Sequence, residues 1–97
     1  MTIKEIRSDL QEIRYYYSRK ETFDKAAESV VKNSVIEKVM KYNVLMAKAS
    51  PRLFDLYIAL YVQNETQIIL ANKWNVSVGY IKSLNKQLCE YLLSCIK

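Results

Sequence analysis

One glycine and one proline in 97 residues leave this chain few means of making tight turns. All-β folds use such residues at nearly every connection, so their scarcity restricts the chain to long helices joined by few turns. The apolar material to bury those helices is present. Hydrophobic residues make up 51% of the chain and charged residues 26%, which is not the composition of a disordered segment. The expected class is all-α, one small domain or one domain with a helical arm, with limited stability from folding alone.

Composition also removes classes of function. The chain has no histidine and two cysteines, so the usual zinc ligand sets and the Ser/His and Cys/His catalytic arrangements are absent. No acid, base and nucleophile converge in the pattern, and the expectation is a protein without catalysis or cofactor. On a helix, Cys89 and Cys95 are separated by about 600° of rotation, so they face different ways and cannot bridge. Two buried, reduced thiols in a cytoplasmic protein are expected. No N-terminal stretch joins a basic start to an apolar run, and no stretch approaches the ~18 apolar residues of a membrane span. The longest apolar runs, such as 57–62, are core-sized.

The net charge of +5 permits nucleic-acid contact without requiring it. Its distribution is more informative. Residues 1–49 carry 10 Lys/Arg against 7 Asp/Glu, and residues 50–65 carry Arg52 against Asp55 and Glu65. Residues 66–97 carry Lys73, Lys82, Lys86 and Lys97 against Glu90 alone. The last third is therefore the cleaner positive patch.

Thr2 and Glu5 have the spacing of a capping box. Behind them Ile3, Ile6, Leu10, Ile13 and Tyr17 recur at spacings of 3, 4, 3 and 4, a seam as narrow as that of a coiled coil. Val35, Val39, Tyr42 and Met46 suggest a second helix, with Ser34 as its cap and Glu37 three residues on. Whether the chain turns between Arg19 and Asn33 or continues as one long helix is open from sequence. So is the partner of the seam: a second copy of the chain, giving a homodimer, or the 35–46 helix of the same chain. In Tyr15-Tyr16-Tyr17 the third ring continues the seam and the others are expected to cover a neighbouring helix, with a protein-contact patch as the alternative. Glu5, Asp9 and Glu12 are expected to form solvent-side pairs with Lys4 and Arg7.

Ser50-Pro51 ends one helix near Ala49 and starts another. Leu53, Phe54, Leu56, Tyr57, Leu60 and Tyr61 then form a face broad enough to centre a core. After the polar break Gln63-Asn64-Glu65, Thr66 or Asn64 caps a short helix that ends at Trp74. Asn75-Val76-Ser77 makes a tight connection, because Asn tolerates the left-handed region and Ser caps. A final helix is expected from about Val78 to Leu93. The organisation expected is a helical arm or hairpin over 1–49 and a helix-turn-helix domain over 50–97.

The helix-turn-helix reading rests on positions, not on composition. Leu70, Ala71, Trp74, Val76, Ile81 and Leu84 are all apolar where two short helices must pack steeply across a short turn, and Asn75 stands at the turn residue. Trp74 is expected in the core. Residues 50–91, with Ser50-Pro51-Arg52-Leu53-Phe54-Asp55-Leu56-Tyr57, Thr66-Gln67-Ile68-Ile69-Leu70-Ala71 and Asn75-Val76-Ser77-Val78-Gly79-Tyr80-Ile81-Lys82, resemble the region 4 domain of bacterial sigma factors. The whole chain resembles short sigma-like proteins of Gram-positive phages and prophages, related in style to the ArpU-type late regulators. Ile13-Arg14-Tyr15-Tyr16-Tyr17-Ser18-Arg19-Lys20 and Leu84-Asn85-Lys86-Gln87-Leu88 carry that narrower likeness. The resemblance implies transcriptional regulation through double-stranded DNA, with RNA polymerase as a second partner.

If the final helix enters a major groove, its exposed positions are Ser77, Val78, Gly79, Lys82, Ser83 and Lys86, with Tyr80 at the margin. Ser77 and the first N–H groups would hold a phosphate, Lys82 and Ser83 would meet base edges, and Val78 would touch a thymine methyl. Lys86 and Lys73 are better placed for phosphates. Gly79 costs ~1 kcal/mol of helix stability relative to Ala, which close contact or packing would have to offset. The alternative function is a non-catalytic interaction module or adaptor using the same fold.

Overall fold

The computed structural model describes residues 1–19 and 34–96. Their helices are α1 (Ile3–Ser18), α2 (Ser34–Met46), α3 (Pro51–Tyr57), α4 (Gln67–Trp74) and α5 (Val78–Ile96), and no strand occurs among them. α3 runs on as a wider, π-type turn over Ile58–Val62. There the Gln63 N–H donates to the Ile58 carbonyl at 2.8 Å, five residues back.

This 51–62 rod is the axis of the fold. Ser50, extended at φ −60° and ψ 151°, precedes Pro51 at the first helical position, where the missing N–H removes no bond. The rod is contacted by all four other helices. Leu56, Tyr57, Leu60 and Tyr61 are buried as the pattern suggests, and Ala59 joins them. Burial on three successive residues, 59–61, means that the rod is enclosed on more than one face. Leu53 is half-buried, and Phe54 lies on the rim, 37% exposed.

α1 begins with the expected capping box: Thr2 Oγ1 accepts from the Glu5 N–H, and Glu5 Oε1 accepts from the Thr2 N–H, both at 3.2 Å. It ends at Ser18, and α2 folds back onto it. The Tyr42 hydroxyl donates to Asp9 Oδ2 at 2.6 Å. In one continuous helix those residues would lie roughly 50 Å apart, so the single long helix is excluded. How the chain makes the return between Arg19 and Asn33 falls outside the described residues. Ser34 is already helical and so is not the cap, and α2 ends at Met46, three residues before Ala49.

The seam packs inside the chain. Ile6, Leu10 and Ile13 are 0–1% exposed, against the rod, α2 and α5. The homodimer through Ile3, Ile6, Leu10, Ile13 and Tyr17 is therefore corrected, because three of its five contact residues have no surface left to give a partner. In the triple tyrosine the buried ring is Tyr16, Tyr17 is half-buried and Tyr15 is 54% exposed. The charge pairs also differ. Asp9 and Glu12 bond Lys38 of α2, at 3.0 and 2.5 Å, where Lys4 and Arg7 of their own helix were expected. Those two carboxylates, Glu12 first, hold the Lys38 amine above its ordinary range. Cys89 is buried, and burial raises its thiol pKa against an opposing hydrogen bond from Arg7. Cys95 is exposed, so only one of the two thiols is buried, and both are free.

α4 and α5 meet at a turn that the side chains specify. Thr66 Oγ1 accepts from the Ile69 N–H at 3.2 Å to open α4. Asn75 sits at φ 56°, ψ 47°, and the Val76 N–H reaches the Ala71 carbonyl at 2.9 Å, closing the helix end in Schellman fashion. Ser77 Oγ accepts from the Tyr80 N–H at 3.1 Å to open α5, which continues past Leu93 to Ile96. Leu70, Ala71, Ile81 and Leu84 are buried across this turn, whereas Val76 is half-buried. Because Asn75 is left-handed, Asn75→Gly is expected to leave stability within ~0.5 kcal/mol and Asn75→Val to lower it by ~1–2 kcal/mol. Urea denaturation of the two variants checks this, and equal stabilities would contradict the turn.

Candidate nucleic-acid interface

The outer face of α5 carries most of the residues singled out in the sequence. Gly79, Lys82, Ser83 and Lys86 are exposed and fall within an arc of about 100°. Ser77 caps the helix beside them, and no carboxylate interrupts the face before Glu90. A Cβ on Gly79 would meet only Ser77 Oγ, at 3.9 Å. No packing inside the chain therefore requires glycine there.

Three residues lie elsewhere or differently. Val78 is half-buried against the core, so its methyls are partly engaged in packing. Lys73 bonds Glu65 Oε1 at 2.6 Å, in a cleft of about 280 Å³ that also holds Asp55 and Trp74. Its charge is balanced on the spot. Tyr80 is 40% exposed at the edge of the face. The Arg52 guanidinium of α3 lies 5.9 Å from the Tyr80 ring and 4.8 Å from that of Trp74. Trp74 is thus half-buried under a cation, not enclosed in the core, because its position at the end of α4 leaves one ring face for Arg52.

On the opposite edge, α1 comes alongside. Arg7 and Gln11 of α1, Gln67 of α4, and Lys82 and Asn85 of α5 line a cleft of about 300 Å³. The Tyr61 hydroxyl, also in its wall, donates to Asn85 Oδ1 at 2.5 Å. Burial pushes that phenol up to about 12, partly opposed by the positive field of Arg14 and Arg7. Gln11 is shared with a neighbouring cleft that contains Arg14, whose guanidinium donates to the Asn64 carbonyl at 3.3 Å. Nothing linear marks Arg7, Gln11, Arg14 or Arg52 as neighbours of Lys82 or Tyr80. The visible hint is the spacing of Arg7, Gln11 and Arg14 at 4 and 3, one helical face.

Among the described residues no group of side chains could hold a metal ion, and no helix is long and apolar enough to cross a membrane. The chain matches no family model, no curated protein and no solved structure.

Proposed function

We propose that the chain is a DNA-binding transcriptional regulator of the sigma region 4 type, encoded by a phage or prophage, that acts without catalysis in the cytoplasm. α4, the Asn75 turn and α5 form a helix-turn-helix, and α5 enters the major groove. Lys82 and Ser83 face base edges, Lys86 and the Ser77 end of the helix face phosphates, and the regulator occupies a promoter or contacts RNA polymerase. The observation that carries this reading is the open face of α5, where lysines surround a glycine that the fold does not need.

The test is fluorescence anisotropy with pooled duplexes between 50 and 200 mM salt. Wild type should bind selectively and lose affinity as salt rises. Lys86→Ala should reduce the salt slope by about 0.9, one phosphate contact, on every duplex alike, whereas Lys82→Ala should reduce discrimination between duplexes. Gly79→Ala should stabilise the fold by ~0.5–1 kcal/mol yet weaken binding, a split that a solvated helix face would not produce. No binding at low salt would sink the proposal.

A second reading, a protein-interaction module, is favoured by Ile68 and Ile69. They stand 64% and 55% exposed on the outer side of α4, where DNA contact has no use for them. That module would bind its partner with little dependence on salt.

A further inference from the structure

We infer that the cleft between α1 and α5 is a binding site for a backbone phosphate of duplex DNA, so that the N-terminal helix is part of the nucleic-acid surface. This assignment rests on the DNA-binding reading above and adds a second element to it.

Three observations converge. First, two cations from helices far apart in sequence, Arg7 and Lys82, line one cleft together with the amide side chains of Gln11, Gln67 and Asn85. Guanidinium and ammonium supply charge and a forked donor set, and the amides supply neutral donors, which together match the oxygens of a phosphodiester. Secondly, no carboxylate lines this cleft. The clefts at Asp55 and Glu65, beside Lys73, and at Asp9 and Glu37, beside Lys38 and Lys41, contain both signs of charge. Arg7 and Lys82 have no such carboxylate in their cleft, and of the carboxylates around Arg7 in sequence, Glu5 closes the Thr2 capping box while Asp9 and Glu12 are bonded to Lys38. An anion entering the cleft would meet both cations and no acid of the wall. Thirdly, the cleft adjoins the outer face of α5 through Lys82 itself. A duplex seated on that face would bring a phosphate strand past the α1 edge, and the ~300 Å³ of space leaves room for a bridging water.

The phosphate would sit between Arg7 and Lys82, held by Gln67 and Gln11, and would carry no base information. Arg7 would therefore act on every sequence alike, in contrast to Lys82, whose other neighbours face base edges.

The experiment compares wild type, Arg7→Gln, Arg7→Lys and Gln11→Glu in anisotropy titrations against one selected duplex and one random duplex, with a thermal melt of each variant. Arg7→Gln should lower the salt slope by about 0.9, so that its affinity falls about three- to fourfold less than that of wild type between 50 and 200 mM salt. The loss should be equal on both duplexes, and Arg7→Lys should recover most of it. Gln11→Glu lies on an exposed position and puts a negative charge in the cleft. It should weaken both duplexes about tenfold with an unchanged melt. Wild-type binding with salt slopes and affinities unchanged in Arg7→Gln and Gln11→Glu would overturn the cleft while leaving the α5 reading intact. If wild type binds no duplex, both readings fail. Affinity for polyglutamate that is lost in Gln11→Glu, with duplex affinity unchanged, would assign the cleft to an acidic protein and also overturn the proposal.

Discussion

Leu10→Ala is expected to destabilise the protein by about 2–5 kcal/mol and to lower Tm by at least ~10 °C, by the same amount at every protein concentration. Leu10 is 1% exposed, midway along a helix that packs on the rod, on α2 and on α5. Truncation removes transfer free energy and leaves a cavity that three packed neighbours cannot easily close. The concentration dependence decides what kind of contact is lost. A seam shared between two chains would give a Tm that rises with concentration, because association stabilises by mass action. A seam closed within one chain gives a constant Tm, and differential scanning calorimetry over a hundredfold range of concentration reads it directly. Val44→Ala, at a position 60% exposed on α2, is the matched control and should change stability by no more than ~0.5 kcal/mol.

The second large effect is alkaline. Burial first, then neighbouring groups, raises the phenols of Tyr42 and Tyr57 well above 10, and that of Tyr61 to about 12. All three are at most 5% exposed. Their hydroxyls tie helices together: Tyr42 to Asp9, Tyr57 to Asn43 at 2.6 Å, and Tyr61 to Asn85. The folded protein favours the neutral phenol, so as pH rises past 10 the unfolded chain loses its protons first. It then binds fewer protons than the folded chain, and stability falls with pH. Each phenol contributes about 1.4 kcal/mol per pH unit between its unfolded and folded pKa, so three give about 4 kcal/mol per unit above pH 10. The raised amine of Lys38 acts in the same direction above its unfolded 10.5, weakly, because the pair is solvent-exposed. By pH 12 this amounts to about 8 kcal/mol, enough to unfold a domain in the lower half of the ~5–15 kcal/mol range, after a plateau in these groups between pH 7 and 9. Urea denaturation at pH 8, 10 and 11 measures the slope, and phenolate absorbance shows whether ionisation and unfolding coincide. Tyr61→Phe should reduce the slope by about a third. Constant stability to pH 12 would contradict the burial of these rings.

Local features were largely legible in the residues. The Thr2–Glu5 box, the Ser50-Pro51 start, the Thr66 and Ser77 caps and the left-handed Asn75 turn each form where the sequence indicates. Each depends on interactions within about five residues, where chain connectivity already supplies the geometry. The apolar spacing likewise identifies Ile6, Leu10, Ile13, Leu56, Leu60, Ile81 and Leu84 as inward-facing. It is weaker at helix edges. Tyr16 replaces Tyr17 in the core, and Trp74 is half open under Arg52, because such positions are decided by which neighbour arrives.

The sequence by itself determined the all-helical class, the helix starts and turns, and the inward stripe of each helix. These follow from backbone capping and from a 3.6-residue period, both local properties. Only the tertiary structure decided that α1 closes its seam on its own chain, that Lys73 is held by Glu65, and that Arg7 stands beside Lys82. Those outcomes depend on how the four other helices share one rod. A periodic pattern says which face of a helix is buried, but not against what, and the same stripe serves a second copy or a neighbouring helix equally well.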